Sequence, residues 1–180
     1  MTVKITYFVH GTTTDNEQGL ATGWLPWELS ELGISQSKEL RNLASHTTFD
    51  FVLCSDLKRA VDSAELVFAP DYPILQDTRL RECNYGKFNG SPEKFKESMN
   101  MFINVPFLQG ESYKDVEKRM RDLCQFLKEN YDNKHIALVA HQAPQLALDV
   151  ILAWKTREQA INEDRRKTKA WQPWWQYIIE

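Results

Sequence analysis

Apolar positions along the chain switch between two periodicities, and the switches mark its elements. Val3-Lys4-Ile5-Thr6-Tyr7-Phe8-Val9 is β-branched and aromatic, which predicts a strand that ends at His10-Gly11. Phe51-Val52-Leu53-Cys54 predicts a short buried strand, and His135-Ile136-Ala137-Leu138-Val139-Ala140 a third that ends at His141. Between them the spacing becomes helical. Leu40 and Leu43 carry it across 35–45, and Ser55-Asp56 opens a helix over 57–68, with Ser55 or Asp56 placed as its cap. Glu111-Ser112 starts a long amphipathic helix with Val116, Met120, Leu123, Cys124 and Leu127 on one face. Another helix follows His141 and runs to about Trp154. Fainter signals predict an edge strand at 72–75, a short helix at 92–102 and a last strand at 177–179.

Two stretches show no periodicity. Residues 12–33, rich in Thr, Gly, Asp, Asn and Trp, and residues 79–90 both read as loop. Irregular segments as long as the first are usually functional in compact domains. Strands alternating with helices predict an α/β fold, a mostly parallel central sheet with helices on both faces. With 180 residues, no internal repeat and no Gly/Pro-rich linker, residues 1–180 form one expected domain.

Composition removes several function classes. A hydrophobic share of 42% with 12% aromatics excludes a disordered chain. Lys+Arg 22 against Asp+Glu 25 leaves a net charge of -3, which argues against binding nucleic acid or an anionic membrane through bulk charge. No apolar run approaches the ~18 residues of a membrane span, and the first residues enter a strand without a signal-peptide pattern. Cys54, Cys83 and Cys124 lie far apart with no Cys-x-x-Cys pair. Such usage argues against a disulfide framework or a zinc site and for a cytoplasmic protein.

The candidate chemistry sits where strands end. His10 and His141 follow two of the predicted strands, and Ser55-Asp56-Leu57-Lys58-Arg59 follows a third. In open α/β sheets the ligand crevice lies at the carboxyl ends of strands. Arg59 falls in the first turn of its helix, near an N-terminus that itself favours anions. One crevice is therefore expected to receive both imidazoles and the guanidinium.

Those residues and their surroundings resemble the histidine phosphatase superfamily, the phosphoglycerate mutase-like phosphatases, over nearly the whole chain. The family's opening pattern Arg-His-Gly-x-Thr-x-x-Asn reads here as Val9-His10-Gly11-Thr12-Thr13-Thr14-Asp15-Asn16. Leu29-Ser30-Glu31-Leu32-Gly33 with Gln36, and Ser55-Asp56-Leu57-Lys58-Arg59-Ala60, match its next two blocks. Leu80-Arg81-Glu82 through Gly90, Gly110-Glu111-Ser112 and Leu138-Val139-Ala140-His141 follow in order. The resemblance implies that His10 is a phosphorylated nucleophile and that Arg59 and His141 hold the phosphoryl group. It implies Glu82 as general acid and then base. Gly11, Thr13, Asn16 and Gln142 become candidate substrate-binding residues. Neither a metal nor another cofactor is implied.

Two departures stand out. Where the family carries its first Arg this chain carries Val9, and where it carries a small glycine after the second histidine this chain carries Gln142. Removing one donor to developing charge costs about 2.7–4 kcal/mol in a transition state. Arg81 and Lys58 are the candidate substitutes, and Gln142 is expected to narrow the pocket or supply an amide donor. The short stretch between Gly90 and Gly110 favours hydrolysis of a small-molecule phosphate ester over mutase transfer. A weakened phosphate-binding module is the alternative from another class. Trp24, Trp27, Trp171, Trp174 and Trp175 are read as core, tail-packing or homodimer-contact residues before an aromatic pocket wall. The run Arg165-Arg166-Lys167 with Lys169 is read as a solvated helix face before a contact to an acidic group.

Overall fold

The computed structural model describes residues 2–168 and 172–180. Five strands are present among the described residues: β1 (Val3–Val9), β2 (Phe51–Cys54), β3 (Ile74–Gln76), β4 (His135–Ala140) and β5 (Trp175–Ile179). They form one sheet in the order β3-β2-β4-β1-β5. Every pairing is parallel except that of β5, which runs antiparallel along β1. The helices are α1 (Thr14–Glu17), α2 (Glu31–Ala44), α3 (Lys58–Phe68), α4 (Tyr113–Asn130), α5 (Gln142–Leu152) and α6 (Arg157–Asn162). Tight 3-10 turns cover Thr78–Leu80, Gly86–Phe88, Glu93–Phe102 and Arg165–Thr168. No helix among the described residues is long and apolar enough to cross a membrane.

The side-chain alternation of the strands separates two cores. Ile5, Tyr7, Leu53, Leu138 and Ala140 face one side and pack with residues of α4 and α5. Phe8, Val52, Cys54, Ala137 and Val139 face the other and pack with Ala44 of α2 and Ala64, Val67 and Phe68 of α3. The whole apolar stripe of α4 is buried, as its spacing predicts. Ser112 caps that helix by accepting the Asp115 N–H, and Asp115 returns the bond to the Ser112 backbone.

The structure corrects three local expectations. Residues 12–33 are not all loop: α1 interrupts them, and α2 begins at Glu31 because the Ser30 hydroxyl accepts the Gly33 N–H. At α3 neither Ser55 nor Asp56 is the cap. Leu57 holds that position, Ser55 Oγ accepts the Leu57 N–H, and the Asp56 carboxylate turns away to Arg81. The residues 79–90 contain two tight turns instead of an unbroken loop. Lys169 and Trp171 lie outside the described residues.

Candidate active site

β1 and β4 are in parallel register, with Val9 opposite Ala140, so the residues that follow them emerge side by side. The His10 and His141 rings lie 5.0 Å apart, centroid to centroid. Tyr7, buried one turn of pleat below, ties the two strands together. Its hydroxyl donates to the His141 carbonyl at 2.7 Å and accepts the His141 N–H at 3.0 Å.

Hydrogen bonding fixes the state of His10. Nδ1 is 2.7 Å from the Gly11 carbonyl, which can only accept, so Nδ1 carries the proton. Nε2 is 3.1 Å from Arg59 Nε, which can only donate, so Nε2 presents its lone pair. Burial and then the Arg59 charge push the His10 pKa down to about 3. His10 is therefore a neutral imidazole across the ordinary pH range, its unprotonated Nε2 engaged by Arg59. His141 has no exposed surface, and burial followed by the Arg59 and His10 charges holds its pKa well below the usual value. Among the described residues neither of its ring nitrogens has a hydrogen-bond partner. Buried polar atoms are nearly always satisfied, so two unmet nitrogens on one buried ring are unusual.

The Gly11 carbonyl is held in place from behind. Gly11 N–H donates to Ser63 Oγ at 3.0 Å, and Ser63 Oγ donates to the Arg59 carbonyl at 2.8 Å. A methyl group added to Gly11 would collide with the Gly33 carbonyl, so the chain after His10 can cross the start of α2 only without a Cβ. Gln36 adds a second clamp by accepting both the Thr12 N–H and the Thr12 hydroxyl at 2.9 Å.

Arg59, 1% exposed, reaches inward from the first turn of α3. Besides His10, it donates to the carbonyls of Gly23 at 2.7 Å and Leu25 at 3.3 Å. Burial lowers its pKa, and the Glu82 and Asp15 carboxylates oppose that shift. Glu82, 6% exposed, faces the first turn of α5. Its Oε1 accepts the N–H groups of Cys83 at 2.8 Å and Ala143 at 3.0 Å, and its Oε2 accepts that of Gln142 at 3.2 Å. The Glu82 carbonyl is anchored by Trp24 Nε1 at 2.7 Å and Arg119 Nη2 at 3.0 Å.

These groups open onto a cavity of about 700 Å³ that His10, Gly11, Asn16, Arg59, Glu82 and Gln142 help to line. The turn at Glu93–Phe102 forms its far wall and brings Lys94 and Lys96 to it. His141 lies behind His10 and does not itself line the cavity. Thr13 has another task. It is wholly buried, does not line the cavity, and accepts the Asn16 N–H as the cap of α1. Asn16 does line it, while its Nδ2 donates to Leu20 O at 3.5 Å and Thr22 Oγ1 at 3.4 Å. The Gln142 side chain turns to Asp164, with Nε2 2.5 Å from Oδ2.

Neither cation expected to stand in at Val9 is in the cavity. Arg81 is paired with Asp56 and stacked 4.7 Å over the Trp24 ring, and Lys58 is paired with Asp62 at 2.7 Å on the surface. Among the described residues no tryptophan walls the cavity either. Trp24 anchors the Glu82 loop, Trp174 packs its edge on Phe8, and Trp175 lies under Arg166. Arg166 is the residue that local pattern misses: read as part of a solvated charged face, it lines the cavity beside Val9 and His10. Its place depends on β5 returning the chain to β1, which no local spacing reveals.

Comparison with known proteins agrees with this geometry. The sequence pattern of the histidine phosphatase superfamily (branch 1) matches residues 7–161. The chain is 31% identical over 143 residues to the adenosylcobalamin/alpha-ribazole phosphatase of Salmonella typhimurium, covering 74% of this chain and 71% of that one. It is 29% identical over 160 residues to the 2,3-bisphosphoglycerate-dependent phosphoglycerate mutase of Methylocella silvestris, covering 79% and 78%. The mycobacterial glucosyl-3-phosphoglycerate phosphatase solved with VO3 superposes with a TM-score of 0.79 at 26% identity, over 88% of this chain and 86% of that one. The matched stretch runs from β1 through α6 and contains His10, Arg59, Glu82 and His141. A phosphatase or mutase chemistry on this α/β fold is thereby supported, and the chain belongs to the histidine phosphatase superfamily.

Proposed function

We propose that the protein is a metal-independent phosphomonoesterase that hydrolyses a small-molecule phosphate ester through a phosphohistidine on His10. The observation that carries this reading is the fixed tautomer of His10, with Nδ1–H on Gly11 O and an unprotonated Nε2 that accepts from Arg59 Nε, on a ring that lines one cavity with Glu82. In the first half-reaction Nε2 attacks phosphorus, an N–P bond forms and the ester P–O bond breaks. The leaving oxygen keeps the bonding pair and takes a proton from the Glu82 carboxylic acid. In the second, water attacks phosphorus and gives its proton to the Glu82 carboxylate, and the N–P pair returns to Nε2.

The two Glu82 oxygens are bonded unequally. Oε1 accepts two backbone N–H groups at 2.8 and 3.0 Å, the bonding of a carbonyl oxygen, whereas Oε2 has one at 3.2 Å. Oε2, the less engaged oxygen, is the one through which the proton would pass to the leaving group. Arg59 retains two uncommitted N–H donors for the phosphoryl oxygens, and the unpartnered His141 imidazole supplies a further contact. Hydrolysis is favoured over mutase transfer by the shortness of the stretch between Gly90 and Gly110, which supplies one cavity wall from Glu93–Phe102.

Rapid quenching during turnover of a labelled phosphate ester tests the reading. The protein should carry phosphate that is labile in acid and stable in alkali, and His10→Ala should abolish it. Label that persists in His10→Ala, or activity lost entirely with a chelator, would overturn it.

A further inference from the structure

The site has a second guanidinium that nothing yet described uses. Arg166 lines the same cavity as Val9, His10 and Arg59, and also a smaller pocket of about 280 Å³ on the other side of residues 9–12. One end of its fork is fixed. Nη1 donates to Asp164 Oδ1 at 2.8 Å and to Gln145 Oε1 at 3.0 Å, and the guanidinium lies 4.8 Å over the Trp175 ring. Asp164 is itself locked, because its Oδ1 accepts the Arg166 backbone N–H at 3.0 Å and its Oδ2 accepts from Gln142 Nε2. The other end is idle. Nη2 is shielded from bulk water and has no hydrogen-bond partner among the described residues.

Resting on the phosphate-ester reading above, we propose that Arg166 is a phosphoryl ligand whose Nη2 grips the transferring group together with Arg59. A charged donor shielded from water and left unmet is costly, and a ligand oxyanion is what would satisfy it. Arg59 cannot serve alone as a full clamp, since three of its five N–H groups are already committed to His10, Gly23 and Leu25. Lys94 and Lys96 reach the cavity only at its far wall, on the Glu93–Phe102 turn. Lys96 is 3.7 Å from Glu93 and sits over the Tyr85 ring, and Arg81 and Lys58 are held outside the cavity by carboxylates. The Arg166 charge reaches His10, where it is one of the influences that keep the imidazole neutral.

This device is outside the family match, which ends at residue 161. It joins the two departures in the sequence. Val9 brings no charge beside the nucleophile, and Gln142 uses its amide to hold Asp164, which in turn orients Arg166. The cation therefore comes from the far end of the chain instead of from the strand that carries His10.

Inorganic phosphate is the probe, titrated calorimetrically into the wild type, Arg166→Ala and Arg166→Lys. Arg166→Ala should weaken phosphate about 10- to 100-fold, the range for losing hydrogen bonds to a charged group. Arg166→Lys should fall between the two, because it keeps a charge but not the fork. Asp164→Asn, which touches no ligand, should weaken phosphate severalfold by releasing the guanidinium. Unchanged phosphate affinity in Arg166→Ala, within about threefold, overturns the proposal while leaving the phosphohistidine reading intact. Should Arg166→Ala fail to fold, Arg166→Lys binding phosphate as tightly as the wild type overturns it equally. A wild-type protein that neither binds phosphate nor forms phosphoenzyme overturns both.

Discussion

His141 offers a test that needs no substrate. Folding strips it of water and leaves it neutral, with its pKa well below 6.5. In the unfolded chain the same imidazole takes up a proton below about pH 6.5. Acidification therefore favours the unfolded state: this contribution to stability is complete above pH 6.5 and is lost as the pH falls below it. If the folded imidazole stays neutral throughout, the loss is ~1.4 kcal/mol per pH unit well below 6.5, or about 2 kcal/mol between pH 7.5 and pH 5. Urea unfolding, followed by tryptophan fluorescence at several pH values in phosphate-free buffer, measures it. His141→Gln should begin less or more stable at pH 7.5, and that offset is immaterial. Its stability should fall over the same interval by about 2 kcal/mol less than the wild type's. The remaining titrating groups are common to both proteins and cancel. Parallel losses in the two proteins would refute the neutral buried His141, and with it the electrostatic account of the paired histidines.

Four further outcomes follow from the site. Glu82→Gln should reduce kcat on alkyl phosphates by about 10²–10⁴ but spare p-nitrophenyl phosphate, whose leaving group needs no proton; equal losses on both would remove Glu82 as the acid. Arg59→Ala should cost about two to three decades in kcat/KM, and a loss under fivefold would deny it the phosphoryl group. Gly11→Ala should destabilise the fold by about 1–3 kcal/mol, since the colliding Gly33 carbonyl is backbone and has no rotamer to change; thermal unfolding within a degree of the wild type would contradict that crossing. Lys58→Ala should leave phosphate affinity unchanged within twofold, because its ammonium is on Asp62 at the surface.

The strand ends were legible because alternating apolar residues stop abruptly at His10 and His141, and parallel pairing then makes the two neighbours. Arg59 was legible for the same reason. Thr13 was misleading: Thr-x-x-Asn is equally a phosphate-loop pattern and a reciprocal helix cap, and burial decides for the cap. Ser55-Asp56 likewise reads as a cap, but Arg81 is a stronger partner for Asp56 than a backbone N–H. Arg166 was illegible because a run of cations has no direction in a sequence. Only Asp164, Gln145 and Trp175, drawn from the residue before the turn, α5 and β5, turn one of them inward.

The sheet order also has a consequence in time. Both neighbours of β1 come from the last third of the sequence, and the Tyr7–His141 lock spans 134 residues. During synthesis the strand that leads into His10 therefore exists long before either edge of it can be paired. An apolar strand with two open edges invites pairing with other chains. The contacts that close it are among the most non-local in the molecule, which slows their formation. A nascent chain would hold His10 early and yet be chemically idle, because the second histidine and the inward-turned arginine arrive with the segments that seal the sheet. Assembly of the catalytic groups and burial of β1 are one and the same late event.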